Sequence, residues 1–440
     1  MKLGSGSPTE EQDRSLAINI FWLYALQGLN YLIPAAMLPY LVRVLGIEQY
    51  GLISFAQSIA QYFIIATDYG FNFSATRAIA QNRSDKNEVA RVFWITMTIK
   101  MFLLVIGGLF LGAVVRASPL LHANMKIYFA AYVAVAGNVI FPMWLFQGLE
   151  RMQSISVITG LAKLASALLV VIFVHSPQDT FLATLLLSSG FLIAGLVGMV
   201  VALRNHVTRF VAPTRRDILA VIRDGRHLFL TTAAVSLYTN TNTFLVGLIA
   251  GNVQAGYFSL ADKLIRAITG LVGPIVQATY PHIIRLIAQS KEQAIAFVQK
   301  MLQRGAAVGL LMGISVLLLA KPLAHIAFSH STPAAVPLLQ VLSFFPLFCC
   351  LNFIFGTLVL IPFGFDKVQS QFLIVVGLIN VVLGCALIPF YGALGGVLTL
   401  CTIEMVQTIG STVIVHRGGL RIFRLAKGAA NAVGSRIVPE

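Results

Sequence analysis

About twelve apolar stretches, each long enough to span a lipid bilayer, constrain the fold of this chain more than any other feature. Hydrophobic residues make up 58% of the 440 residues, and charged residues only 11%. A backbone that crosses hydrocarbon must satisfy its own hydrogen bonds, so these stretches predict helices. The sequence therefore predicts an all-α membrane protein with about 12 transmembrane helices. The predicted spans lie near 17–41, 51–69, 92–115, 127–147, 153–174, 181–203, 228–250, 256–281, 305–328, 335–360, 369–389 and 394–415.

The lysines and arginines between these spans are distributed unevenly. With the N-terminus inside, the inner loops and tails hold twenty-three of them, and the outer loops hold four. Such an excess is typical of the cytoplasmic loops of membrane proteins, so both termini are predicted to be cytoplasmic. The net charge of +15 therefore indicates topology, and we expect no nucleic acid as a partner.

An internal repeat is visible in the sequence. Residues 50–57 (YGLISFAQ) match residues 255–262 (AGYFSLAD) at an offset of 205. Slightly further on, residues 77–81 (RAIAQ) match residues 285–289 (RLIAQ). Chance produces matches of this size. However, both members of the second match open a basic loop after an even-numbered span, and this agreement with the topology favours duplication.

The repeat predicts two lobes of six helices each, an N-lobe of residues 1–208 and a C-lobe of residues 209–440. The two lobes have the same orientation in the membrane. Parallel repeats of this kind are related by an axis along the membrane normal, and the substrate site lies between them. The arginine-rich connection from Arg204 to Arg226 is the predicted linker. It could equally be an interfacial helix on anionic lipid or a gating element.

Four cations lie inside the apolar spans: Lys100, Lys163, Lys263 and Arg266. A charge near the bilayer centre costs about 2.5–3.5 kcal/mol, so such residues are usually paired or functional. Together in one cavity, the four would suit a substrate that carries negative charge. Lys163 lies deeper than Lys100, whose ammonium could instead snorkel to the inner surface.

Predicted span 8 carries polar residues at helical spacing along one face. They are Asp262, Arg266, Thr269, Gly273 and Gln277. The offset of 205 places Gln57 and Gln61 on the equivalent face of span 2, and we expect both faces to line one central cavity. Alternatively, Asp262 and Arg266 simply neutralise each other as an i, i+4 pair. That alternative leaves Lys263 unexplained.

Asparagines extend this polar lining, with Asn30 in span 1 and Asn240 in span 7. Hydrogen bonding between helices is the ordinary explanation for such residues. Spans 1 and 7 are repeat partners that flank spans 2 and 8, which favours cavity lining. The predicted substrate-binding residues are Arg266, Lys163, Lys263, Lys100, Gln57, Gln61, Asn30 and Asn240.

The sequence contains no recognisable catalytic or cofactor motif. The four cysteines lie in apolar spans without a CxxC spacing, and the eight histidines form no HExxH or comparable ligand set. A Walker A sequence is absent, and no Ser/His/Asp or paired-carboxylate arrangement stands out. We therefore expect no metal, no cofactor and no enzymatic activity.

A family resemblance is carried by residues in and around the first three spans. They are Leu45-Gly46, Tyr50-Gly51, Phe55-Ala56, Tyr62-Phe63, Asp68-Tyr69-Gly70 and the run 74–80 (SATRAIA). This pattern resembles the N-terminal signature of polysaccharide repeat-unit flippases, the O-antigen or Wzx-type flippases. They belong to the multidrug/oligosaccharidyl-lipid/polysaccharide exporter superfamily. The matching segment covers about residues 16–95, and the rest agrees in span count, length and repeat.

The resemblance implies a V-shaped, alternating-access transporter of two six-helix lobes in the bacterial inner membrane. Such proteins move an undecaprenyl-pyrophosphate-linked oligosaccharide from the cytoplasmic to the periplasmic leaflet. The implied partners are this lipid-linked oligosaccharide, the membrane, a polysaccharide polymerase and a chain-length regulator. Cations inside the spans agree with this, because they would offset the desolvation of the phosphates.

Coupling to a proton or sodium gradient is also implied by the resemblance. The candidate residues for ion coupling in this chain are Asp68, Asp262 and Glu404. Glu404 has no partner nearby in sequence, and could equally be protonated or paired with a lysine.

Three other functions are alternatives to this one. A cation-coupled multidrug exporter of the same superfamily would more naturally present acidic residues, whereas cations outnumber them here. A membrane-embedded glycosyltransferase or polymerase typically needs a large outer loop or an acidic catalytic cluster, and the predicted outer loops are short. A purely structural scaffold would leave the cations inside the spans without a role.

Overall fold

The computed structural model describes the backbone of residues 8–207, 209–270, 272–328 and 332–420. Side chains are described from residue 33 onward, apart from some positions within 208–278 and 328–332. Almost all of these residues are helical, and no strand occurs among them. The prediction of an all-α protein is therefore confirmed.

The helices follow one another with short connections. Those of the first half are α1 (Pro8–Asp68), α2 (Phe71–Gln81), α3 (Lys86–Ala117), α4 (Pro119–His122), α5 (Met125–Ile140), α6 (Met143–Gly148), α7 (Met152–Phe173) and α8 (Thr180–Asn205). Those of the second half are α9 (Arg215–Thr239), α10 (Thr241–Thr269), α11 (Val272–Gln289), α12 (Lys291–Leu318), α13 (Ala320–Phe328), α14 (Thr332–Leu342), α15 (Phe345–Ile354), α16 (Asp366–Tyr391) and α17 (Ala393–Arg417). A π-helical turn (Phe355–Leu360) continues α15.

Nine helical segments among the described residues are long and apolar enough to cross a membrane. Eight of them coincide with predicted spans 3–6 and 9–12, and the ninth is α10. Large apolar side chains point outward from these helices. Leu109 is 71% exposed, Leu311 67% and Phe390 82%. Such faces suit hydrocarbon rather than water, and the prediction of a multi-pass membrane protein is confirmed.

Predicted spans 7 and 8 contain breaks that the apolar pattern did not indicate. Asn240 has non-helical backbone angles (φ −120°, ψ −8°) and separates α9 from α10, so it interrupts predicted span 7. Helix α10 ends at Thr269, within predicted span 8, and α11 is described from Val272 onward. Pro274 therefore lies in the first turn of α11, where a missing N–H leaves no helical hydrogen bond unmade. The two predicted continuous spans are corrected accordingly.

Two glycines turn the chain at equivalent points of the repeat. Gly46 in α1 has φ 81° and ψ 164°, and Gly251 in α10 has φ 82° and ψ 177°. Only glycine populates this backbone region readily. The two positions are separated by the repeat offset of 205 that residues 50–57 and 255–262 predict. The sharp bend between spans 1 and 2 is therefore repeated between spans 7 and 8.

Two further glycines bring α1 and α10 into close contact. A Cβ atom on Gly51 would overlap the carbonyl oxygen of Asn252, and one on Gly256 would overlap that of Ile47. Adding 205 to the numbers of Gly51 and Ile47 gives Gly256 and Asn252, so the two contacts are equivalent in the repeat. The crossing therefore has the symmetry of the predicted parallel repeat. The division into lobes at residues 208 and 209 stays a prediction, and residue 208 lies outside the described residues.

The segment between the two halves is attached to the start of α3. The indole nitrogen of Trp94 donates a hydrogen bond to the carbonyl oxygen of Arg209 at 3.0 Å. The Arg91 guanidinium contacts the Asp217 carboxylate at 2.7 Å. Asp217 also completes a capping box with Thr214 at the beginning of α9. The linker therefore has a defined structure, and α9 begins against the first half of the chain.

Candidate substrate cavity

A cavity of about 280 Å³ lies mainly within the first half of the chain, and Lys263 is the one described lining residue that the second half contributes. Its walls come from α1, α5, α7, α8 and α10, and most of the lining is aliphatic. The hydrogen-bonding side chains among the described lining residues are those of Tyr50, Gln57, Gln61, Lys163, Ser166, Ser188 and Lys263. None of the described lining residues is acidic. The cavity is therefore apolar, with a few positive and neutral polar groups, and suits an amphiphilic anion.

Gln57 and Gln61 present their amides to the cavity from the second part of α1. They are one helical turn apart, so they lie on the same face. Both side chains are partly buried. The structure thus places these two predicted residues together in one cavity.

Lys163 lies on α7 and lines the cavity from the first half of the chain. Its ammonium nitrogen is 5.9 Å from the centre of the Phe191 ring, which also lines the cavity. An aromatic face attracts a cation at this distance, so this contact helps to orient the ammonium at the wall of the cavity.

Lys263 lies on α10 and lines the same cavity from the second half. Its ammonium nitrogen is 5.2 Å from the centre of the Tyr50 ring on α1. The contact joins a residue of the second half to a residue of the first half. Tyr50 is almost completely buried. The Tyr50 hydroxyl has no hydrogen-bond partner among the described residues. Lys263 and Tyr50 thus connect the cavity to the crossing of α1 and α10.

Arg266 and Asp262 pair with each other on α10 and are not among the residues that line the cavity. The Arg266 Nε lies 2.8 Å and 2.9 Å from the two carboxylate oxygens. The guanidinium also lies 5.9 Å from the centre of the Phe345 ring. This geometry is that of the alternative interpretation, an i, i+4 pair on one helix. The substrate role of Arg266 stays a prediction.

Lys100 is buried within the first half of the chain and forms an ion pair with Asp68. The ammonium nitrogen lies 3.5 Å from Asp68 Oδ1, and Lys100 is only 1% exposed. Its side chain does not extend to the surface, as snorkelling would require. Neither residue is among those lining the cavity. The pair joins α3 to the end of α1, and both predicted roles, substrate binding and ion coupling, stay predictions.

Glu404 on α17 belongs to a buried hydrogen-bond network with two residues that the sequence did not single out. The Asn352 amide donates to Glu404 Oε2 at 2.6 Å and to the Glu404 carbonyl oxygen at 3.0 Å. The Thr408 hydroxyl donates to Asn352 Oδ1 at 2.9 Å. Asn352 is polar within an apolar run, and Thr408 follows Glu404 by one turn. These two features of the sequence, a polar residue in an apolar run and a one-turn spacing, could have indicated the network.

The two predicted asparagines are not among the cavity's described lining. The side chain of Asn30 lies outside the described residues. The Asn240 amide donates to Thr239 Oγ1 at 2.9 Å and to Ser236 Oγ at 3.4 Å, both on the last turn of α9. Asn240 therefore contacts the helix that ends just before it.

Sequence reasoning missed the other polar lining residues. Ser166 follows Lys163 by three positions on α7, a spacing that places the two on one helix face. Its hydroxyl donates to the Leu186 carbonyl oxygen at 2.7 Å. Ser188 lies on α8, a helix without a charged residue in its apolar part that would have drawn attention to it.

Comparison with known families identifies the chain. A sequence profile described as polysaccharide biosynthesis protein matches residues 16–287. The chain belongs to this family. The match extends well beyond residues 16–95, and it confirms the resemblance that those residues indicate.

Relatives within the family agree over nearly the whole length. A putative O-antigen transporter of Escherichia coli (strain K12) is 32% identical over 394 residues, which is 90% of this chain and 95% of that protein. A putative O-antigen transporter of Shigella dysenteriae is 29% identical over 88% of this chain and 96% of that protein. Both relatives are named as transporters, as predicted for this chain, and not as enzymes.

Solved structures show that this chain has the fold of proteins described as flippases and transporters. The lipid II flippase MurJ in an inward closed conformation superposes with a TM-score of 0.64 at 13% identity, covering 91% of this chain and 87% of that one. A MOP superfamily transporter from Pyrococcus furiosus gives 0.58 at 16% identity, covering 92% and 95%. At these identities, the likeness concerns the fold alone.

Proposed function

We propose that this protein is a flippase that moves an oligosaccharide linked to a polyprenyl diphosphate across the membrane. The observation that carries the proposal is the cavity lined by Lys163 of the first half and Lys263 of the second, with two glutamines in a largely apolar wall. The family membership and the names of the relatives support lipid-linked polysaccharide as the substrate class.

The chemistry of the cavity matches the parts of such a substrate. A diphosphate loses its hydration on entering the protein, and two lysine ammoniums would replace water with charge-assisted hydrogen bonds. The amides of Gln57 and Gln61 can donate to and accept from sugar hydroxyls. A cationic drug would find two like charges here and no acid among the described lining residues, so the drug-exporter alternative fits poorly.

The crossing of α1 and α10 supports alternating access as the mechanism. If the N-terminus is cytoplasmic, as the distribution of lysine and arginine predicts, the bends at Gly46 and Gly251 lie on the outer side. The close contact at Gly51 and Gly256 then closes the cavity toward the outside. Opening this crossing while the inner side closes would expose the substrate to the opposite leaflet.

Several finer features belong to the same proposal. We place the protein in the bacterial inner membrane, with undecaprenyl diphosphate as the lipid carrier. Ion coupling would use Asp68, Asp262 and Glu404, of which Asp68 and Glu404 are buried and Asp262 is partly exposed. A polymerase and a chain-length regulator would receive the translocated unit.

Complementation tests the proposal. A bacterial strain that lacks its own O-antigen flippase would express this chain together with the enzymes for the glycan. Restored surface polysaccharide would support flippase activity, and the same strain would be tested for resistance to cationic dyes. Dye resistance without surface polysaccharide, at normal membrane levels of the protein, would overturn the proposal in favour of a drug exporter.

A further inference from the structure

A second concavity lies away from the cavity, between α2, α3 and α9. Its volume is about 610 Å³. The groove is lined by one face of α2, by Val92, Ile95 and Thr96 of α3, and by two residues of α9. The positive-inside distribution places α2 in a cytoplasmic loop, so this groove lies at the inner surface of the membrane.

The lining of this groove is amphiphilic. Phe71, Ala75 and Ala78 of α2 contribute an apolar wall, and Phe73 at its edge is 64% exposed. Arg77 is the one charged residue among the described lining residues, and it is exposed. A groove with an apolar wall and one exposed guanidinium is complementary to a chain of hydrocarbon with an anionic head.

The groove and the substrate cavity are lined by different helices, and α3 of the groove contacts α1 of the cavity. Thr96 lines the groove, and Lys100 lies one turn further along α3, about 6 Å away. Lys100 contacts Asp68, which lies one turn from Ile64, and Ile64 lines the cavity. The buried ion pair therefore joins a helix that lines the groove to a helix that lines the cavity.

We propose that this groove binds the polyprenyl-diphosphate end of the substrate before translocation. The isoprenoid chain lies against α2 and α3, and the diphosphate contacts Arg77. This inference rests on the proposed function and deepens it, because it assigns a cytoplasmic docking site for the lipid carrier outside the translocation cavity. An ordinary phospholipid is the competing occupant.

Photolabelling tests the docking site. The full chain in phosphatidylethanolamine nanodiscs would be irradiated with a diazirine-bearing polyprenyl diphosphate, and the labelled peptides mapped by mass spectrometry. We expect labels on α2, α3 and α9 that unlabelled polyprenyl diphosphate removes and an equal amount of phosphatidylglycerol does not. Labels that phosphatidylglycerol removes equally well would make the groove an ordinary lipid site. Absence of labels from these helices would overturn the proposal as well.

Matched variants locate the contacts. Ala78→Phe fills the groove, whereas Ala80→Phe places the same ring on the same helix at an exposed position that does not line it. Arg77→Ala removes the charge without crowding, and Lys86→Ala removes an exposed cation at the start of α3 as its control. We expect at least fivefold less labelling with Ala78→Phe and Arg77→Ala, and unchanged labelling with both controls. Unchanged labelling with Arg77→Ala would overturn the role of the guanidinium even if Ala78→Phe fails to fold.

The docking site and the proposed function can fail separately. Lys163→Ala alters the cavity and leaves the groove intact, so it should abolish export while groove labelling persists. Normal export with Lys163→Ala would contradict the substrate cavity and leave the docking site standing. Normal export and normal labelling with both groove variants would contradict the docking site and leave the proposed function standing.

Discussion

Lys163 and Lys263 come from opposite halves of the repeat and line the same cavity. Each ammonium faces an aromatic ring, Phe191 in one case and Tyr50 in the other. An aromatic ring attracts a cation and helps to orient it. Two lysines therefore line one small, largely apolar space, and we propose a divalent anion such as a diphosphate as their ligand.

Removing either cavity lysine should weaken the binding of a polyprenyl diphosphate. A hydrogen bond to a charged group contributes about 1.5–3 kcal/mol, so Lys163→Ala or Lys263→Ala should raise Kd about tenfold or more. Lys163→Arg keeps the charge and serves as the matched control. Titration in nanodiscs measures Kd. Equal affinities of wild type and both alanine variants would contradict the role of the lysines.

Breaking the buried ion pair between α1 and α3 should destabilise the first half of the chain. Asp68→Ala leaves the buried Lys100 without its carboxylate, and removal of one partner of such a pair costs about 3–5 kcal/mol. Replacing both residues, as in Asp68→Asn with Lys100→Met, removes the uncompensated charge and should recover much of the loss. Thermal unfolding in detergent measures the effect. A double variant no more stable than Asp68→Ala would contradict this account.

The sharp bends at Gly46 and Gly251 should require glycine because of their backbone conformation, and not because of crowding. No atom lies within 4 Å of the position that a Cβ on Gly46 or Gly251 would occupy, yet both residues have φ near +80°. Each Gly→Ala change should therefore cost about 1–3 kcal/mol through backbone strain. Gly51→Ala is the contrasting variant, because its methyl group would overlap the carbonyl oxygen of Asn252. Thermal unfolding of the three variants tests whether strain and overlap both destabilise the fold.

The attachment of the linker to α3 should weaken in acid. Hydrogen bonds from Thr214 and the nearby Arg91 guanidinium lower the pKa of the Asp217 carboxyl. A carboxyl with a lowered folded-state pKa stabilises the fold fully above its unfolded value of about 3.9, and this contribution disappears as the pH falls through the folded-state pKa. The stability difference between wild type and Asp217→Asn should therefore be constant near neutral pH and vanish in acid. Unfolding curves at several pH values measure it. A difference that grows in acid would contradict this sign.

Sequence patterns predicted the membrane spans and the repeat because both depend on local regularities. Apolar length indicates a span, and the offset of residues 50–57 and 255–262 also relates the bends at Gly46 and Gly251 that the structure shows. The pairing of Asp262 with Arg266 was visible for the same reason, since it is a contact within one helix.

The convergence of distant side chains was not available from the sequence. How a helix is rotated about its axis depends on its packing partners, and these decide whether Lys100 contacts Asp68 or enters the cavity. The same holds for Asn352, whose contact with Glu404 joins α15 to α17. The break at Asn240 was missed because apolar length alone does not indicate where a span is interrupted.

Translocation by the purified protein tests the central claim most directly. Proteoliposomes would carry a fluorescent oligosaccharide linked to polyprenyl diphosphate, and a membrane-impermeant quencher would report the fraction that reaches the opposite leaflet. We predict transport by the wild type, retained transport with Lys163→Arg, and at least a tenfold slower rate when Lys163→Ala and Lys263→Ala are combined. Transport by the double alanine variant at the wild-type rate, with equal protein incorporation, would contradict the account.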